Sequence, residues 1–122
     1  MLGEWSYSSP QALRASPALN AGLRVQIGID SLDGTRFFGH VTQWFVGDVG
    51  ISPVEFGRVS GSIDENNGVM LAIPRVSSNR QPLKVMGELA GDVLIVVECY
   101  VGTEPGPFVA STAFLRFRTG ED

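Results

Sequence analysis

The side chains able to do chemistry in this chain are few and scattered. Tyr7, His40, Trp44, Glu98 and Tyr100 are polar or amphipathic groups set inside otherwise apolar stretches. Turned inward, they would give a mostly apolar cavity a few orienting polar groups, which is how small-molecule pockets are built. The alternative is that they face solvent or pair across strands. Glu98 stands between Val96-Val97 and Cys99-Tyr100. An unpaired buried carboxylate is costly, so Glu98 is expected either outward or partnered, with Arg116 as the candidate partner. Trp5 near the start and Arg116 and Arg118 near the end form a second group. A guanidinium stacked on an indole is worth about 0.5–2 kcal/mol, and the pair would plug one end of the fold, a structural role.

Catalysis has little to work with. His40 is the one histidine and Cys99 the one cysteine. A histidine-dependent metal site or triad would have to use His40 alone. A single cysteine excludes an intramolecular disulfide and Cys-based structural zinc. Inside the apolar run Val93 to Val101, Cys99 is expected to be a buried, inert thiol. No G-x-S-x-G elbow, H-E-x-x-H helix or G-x-x-x-x-G-K phosphate loop is present. An enzyme would be left with His40 and Glu98 as an acid–base pair that only the fold brings together. No catalytic residue, metal or cofactor is therefore assigned. Asp64-Glu65-Asn66-Asn67 supplies oxygen ligands without calcium-loop spacing and is expected to be a hairpin tip.

Composition narrows the partners. The 122 residues are 43% hydrophobic and 18% charged, enough apolar material for one core spanning residues 1–122. Nine basic residues stand against 13 acidic ones, net −4, and Lys84 is the only lysine. With no basic cluster, nucleic acid is not an expected partner, nor is an anionic membrane surface. No run reaches the roughly 18–20 apolar residues of a membrane-spanning helix. No basic region followed by a long apolar stretch opens the chain. No signal peptide is visible in it, and the compartment is left unassigned.

Positioning falls to short β-type runs separated by turn residues. Gly3–Ser8 places Trp5 and Tyr7 on one face. Gly22–Asp30 alternates Leu23, Val25, Ile27 and Ile29 against Arg24, Gln26, Gly28 and Asp30, a period-2 pattern. Asp33-Gly34 turns into the aromatic run Thr35–Gly47. Strands are expected at Gly57–Asp64, Gly68–Val76, Leu83–Ala90, Val93–Gly102 and Phe108–Arg118, with hairpin turns at Asn66-Asn67-Gly68 and Gly91-Asp92. Pro10–Ala21 is the one helical candidate, capped by Ser9 and broken by Pro17 into short turns. Gly39, Gly61 and Gly87 fall inside strands, where glycine marks bends or close backbone approach. An eight-stranded antiparallel meander with such bends is expected to close into a small up-and-down barrel, which removes its edges.

Gly3-Glu4-Trp5 resembles the G-x-W start of calycins, the lipocalin and avidin-type barrels. Arg116 and Arg118 lie on the last strand, where that group sets an arginine over the tryptophan. The longest connection, Ser9–Ala21, falls between the first two strands, where lipocalins carry a lid. The second and third lipocalin motifs and avidin's biotin-contact pattern are not found. The resemblance implies the barrel and carries no ligand with it.

Three roles fit this description. The first is a calycin-like binding protein for a small apolar or amphipathic ligand. The second is an interaction module filled by its own side chains, and the third an enzyme using His40 and Glu98. Val69–Pro74 and Val93–Val101 are apolar on both faces. An outward apolar set needs cover, so a homo-oligomer, in the simplest case a dimer, is expected through the fifth to seventh strands, with Met70, Leu94 and Val96 as anchors.

Overall fold

The computed structural model describes residues 1–8, 22–47, 49–76 and 81–117, with the side chain of residue 117 left out. The helical candidate Pro10–Ala21 and Arg118 lie outside the described residues. The strands are β1 (Gly3–Ser8), β2 (Leu23–Asp33), β3 (Arg36–Val46), β4 (Val49–Gly50), β5 (Val59–Ile63), β6 (Gly68–Ile73), β7 (Leu83–Ala90), β8 (Val93–Val101), β9 (Glu104–Pro105) and β10 (Ala113–Phe117). A 3-10 turn, Pro53–Glu55, precedes β5. Among the described residues no helix is long and apolar enough to cross a membrane.

The eight longer strands pair antiparallel in the order β10-β1-β2-β3-β5-β6-β7-β8, and β8 pairs back to β10. The result is the closed eight-stranded meander that the alternating runs imply. The two-residue strands β4 and β9 extend the rims of β3 and β8.

Alternation sets the inside. Val25, Ile27 and Ile29 of β2, Val69, Leu71 and Ile73 of β6, and Leu83 and Val85 of β7 are all buried. Two of the strand glycines make the tight wall possible. A Cβ on Gly39 would stand 1.9 Å from the Gly28 carbonyl oxygen. One on Gly61 would stand 2.3 Å from Phe37 Cζ, so the absent side chain is what admits the fully buried Phe37 ring.

Three register shifts break the alternation, each leaving a residue unpaired. One lies near the β2–β3 turn, where Ile29 pairs Gly39 and Ser31 pairs Phe38, leaving Asp30 unpaired. Between β2 and β3, Gln26 pairs Gln43 and Ile27 pairs Val41, leaving Thr42 unpaired. Between β7 and β8, Met86 pairs Glu98 and Gly87 pairs Val96, leaving Val97 unpaired.

The last strand begins later than the sequence suggests. Residues 108–112 form a turn, with Ser111 at φ 73°, and β10 starts at Ala113. Phe108 leaves the wall to fill the barrel end, where it meets Tyr7 at 5.6 Å, Trp44 at 5.9 Å and Phe114 at 5.0 Å between ring centroids. Phe56, just after the 3-10 turn, stacks on Trp44 at 5.0 Å. Edge-to-face and offset rings of this kind add about 0.5–1.5 kcal/mol per pair beyond area burial.

Candidate ligand-binding groove

The two ends of the barrel are closed differently. At the end opposite the aromatic cluster, Trp5 is 2% exposed and its register partner is Arg116. The Arg116 Cζ lies 5.6 Å from the indole centroid, and the indole Nε1 donates to the Met1 carbonyl at 2.7 Å. Arg116 also pairs with Asp92 and donates to the Leu2 carbonyl at 3.3 Å. The expected Glu98–Arg116 contact is absent for a topological reason. Arg116 lies at the turn end of the barrel beside Asp92, and Glu98 lies further along β8 on the outer face.

Tyr7 and Trp44 point inward, into the aromatic cluster with Phe56 and Phe108. Their rings pack against Phe108 at that end of the barrel. Near Trp5 the interior retains about 10 Å³, lined by Trp5, Ile27, Leu71, Leu94 and their neighbours. That is room for about one water.

His40, Glu98 and Tyr100 point outward. His40 Nδ1 lies 2.9 Å from Asp30 Oδ2, with both side chains more than half exposed. The bulge at Thr42 is why Trp44 turns in while His40, an even number of residues away, turns out. The bulge at Val97 does the same on β8, burying Leu94, Val96 and Cys99 and exposing Glu98 and Tyr100. In the strand order, β3 and β8 lie four positions apart around a barrel of eight. His40 and Glu98 therefore face away from each other on opposite walls and form no acid–base pair. Asp64 Oδ1 accepts the backbone N–H groups of Asn66 and Gly68, each at 2.8 Å, so this carboxylate closes the β5–β6 turn. Cys99 is buried, and burial pushes its thiol above the ordinary value, partly offset by a hydrogen bond at the Phe108 backbone.

Among the described residues, a space larger than the one near Trp5 lies on the outer wall. Cross-strand register lines up Phe38, Ser60, Ala72, Lys84 and Tyr100 in one row, and Arg36, Ser62, Met70, Met86 and Glu98 in the next. Ser60, Ser62 and Ala72 are short, and the groups on either side are long. The rows therefore enclose a groove of about 530 Å³ over β5 and β6, within the range of small-molecule sites. Met70 and Met86 supply apolar surface, 56% and 40% exposed. Arg36 and Lys84 supply the charge, and Tyr100 closes the far side. The neighbouring Glu98 carboxylate raises the Tyr100 phenol's pKa, through hydrogen bonding ahead of its charge.

Of the polar groups singled out from the sequence, Tyr100 belongs to this groove. Arg36, Ser60, Lys84 and Met86 are the members that sequence reasoning missed. The available signal was the run of small residues Ser60-Gly61-Ser62, which cannot fill an outer wall.

The expected dimer anchors divide. Met70 is exposed, but Leu94 and Val96 are 2% and 1% exposed, inside the barrel. The outward apolar residues of β8 are Ile95 and Val97 instead, because β8 enters with the opposite face inward and only the bulge brings Cys99 in.

No protein-family model, no curated protein and no solved structure matches the chain; what is shown is the closed eight-stranded antiparallel barrel, an architecture consistent with the calycins.

Proposed function

We propose that the protein is a non-catalytic binding module of calycin-like build, which takes a small amphipathic molecule in the groove on its outer wall. The observation that carries this reading is the contrast between two spaces among the described residues. The interior near Trp5 leaves about 10 Å³, whereas the wall over β5 and β6 leaves about 530 Å³ beside exposed methionines. The calycin likeness rests on Arg116 over Trp5 and on the closed meander. The ligand position departs from it, because Tyr7, Trp44 and Phe108 occupy one another's space at the barrel end.

The test is binding of Nile red, an uncharged fluorophore that brightens in apolar surroundings. Saturable binding that is lost in Ala72→Trp and Ser60→Trp, with the fold intact by circular dichroism, supports the groove. Binding unchanged by both substitutions, or no binding at all, refutes it.

A second reading has its own observation. Ile95, Val97 and Leu115 are 39%, 50% and 53% exposed on β8 and β10, beside Met86. Such an apolar strip marks an interaction surface, and self-association through it would cover the wall next to the groove. Light scattering at micromolar concentration tests this, with a dimer mass expected and a monomer mass excluding it.

A further inference from the structure

We propose that the groove selects an amphipathic anion, an apolar chain bearing a carboxylate or similar acidic head. This rests on the groove being a binding site and adds the sign of the ligand's charge. The chain as a whole is net −4, yet the groove lining holds Arg36 and Lys84 and no carboxylate; the nearest one in the rows, Glu98, stands past Met86 on β8, four strands from Arg36. Behind Arg36 stands a third cation. The Arg36 and Arg58 guanidinium carbons lie 5.6 and 5.0 Å from the centroid of the same Phe38 ring. Arg58 is held there by donating to Ser31 Oγ at 3.1 Å. None of Arg36, Arg58 and Lys84 has a carboxylate at ion-pair distance among the described residues.

Two guanidinium groups gathered on one ring repel each other, and the ring's quadrupole compensates only part of that. An acidic head at this end of the groove relieves the repulsion and takes charge-assisted hydrogen bonds from the guanidinium groups. The hydroxyls of Ser60 and Ser62 lie beside the same end, in register with Phe38 and Arg36. The apolar chain then runs over Ala72 toward Met70 and Met86. The β3 end carries Arg36, with Arg58 behind it, the middle over Ala72, Met70 and Met86 is apolar, and Lys84 and Tyr100 close the β7–β8 side, an order fixed by the strand register.

The three methionines make a direct readout. Met70 and Met86 face the groove, and Met1 packs at the Trp5 end of the core. The protein is labelled with 13C at the methionine methyls and titrated with decanoate, decanol and decyltrimethylammonium at fixed ionic strength. The expected result is saturable movement of the Met70 and Met86 resonances by decanoate with Met1 still, binding of decyltrimethylammonium at least tenfold weaker, and loss of decanoate affinity with added salt. In the double variant Arg36→Gln, Arg58→Gln, the ratio of decanoate to decanol affinity is expected to fall at least threefold, with Lys84 supplying the remainder; an unchanged ratio overturns the charge inference. Equal affinities for the three probes overturn the charge inference and leave the groove reading standing. Failure of all three to move Met70 and Met86 overturns the groove reading and this inference with it, as does a response confined to Met1.

Discussion

Replacing Trp5 by Ala removes the largest side chain at one end of the barrel, and its cost follows from the contacts. The indole is 2% exposed, and burial of a tryptophan removes 150–250 Å² from water, worth about 4–6 kcal/mol at 25 cal/mol per Å². Alanine keeps a small part of that. The Arg116 stack adds about 0.5–1 kcal/mol, and the hydrogen bond to the Met1 carbonyl about 1 kcal/mol. Partial relaxation of the cavity offsets some of the loss. A net destabilisation of about 4 kcal/mol results, in line with other large core aromatics. For 122 residues the unfolding entropy is about 0.26 kcal/mol/K, so Tm should fall by about 15 °C. Thermal unfolding followed by circular dichroism near 218 nm measures this without relying on tryptophan emission. Trp5→Phe keeps most of the apolar volume and should lose about 1–2 kcal/mol, which guards against an alanine variant too unstable to study. A Trp5→Ala protein melting within about 3 °C of the parent would refute the burial argument.

Gly61→Ala places a methyl where Phe37 Cζ would be 2.3 Å away, and should destabilise by about 1–3 kcal/mol in urea denaturation. His40→Gln, at an exposed pair with Asp30, should change stability by no more than about 1 kcal/mol; a larger loss would show that the pair is structural. Because burial holds the Cys99 thiol above its ordinary value, its contribution to stability is intact below the unfolded thiol's pKa of about 8.5 and declines as pH rises past it. Cys99→Ser should flatten that decline, and iodoacetamide should alkylate the native thiol much more slowly than the unfolded one. If light scattering finds a dimer, Val97→Glu with Leu115→Glu should return it to monomer while leaving the Met70 and Met86 responses to decanoate intact.

The barrel was legible in the sequence because strand alternation is local. Leu23 through Ile29, Val59 through Ile63 and Val69 through Ile73 each state which face is apolar, and burial follows that statement. The turns were legible for the same reason: Asp33-Gly34, Asn66-Asn67-Gly68 and Gly91-Asp92 carry their backbone preferences in their own side chains. Gly39, Gly61 and Gly87 could be marked as points of close approach. What approaches them comes from other strands, and only register identifies it.

The candidate site was decided by tertiary structure. A strict period of 2 puts Trp44 with His40, and Glu98 and Tyr100 with Leu94 and Val96. Single unpaired residues, Thr42 and Val97, separate each set. A bulge is a property of two strands held in register, and one strand read alone does not contain it. The same holds for Phe108, which reads as strand until a barrel end exists for it to fill. It holds too for the groove, whose members Arg36, Ser60, Ala72, Lys84 and Tyr100 come from five strands. Their types were in the sequence from the start, but their adjacency exists only where the strands pair.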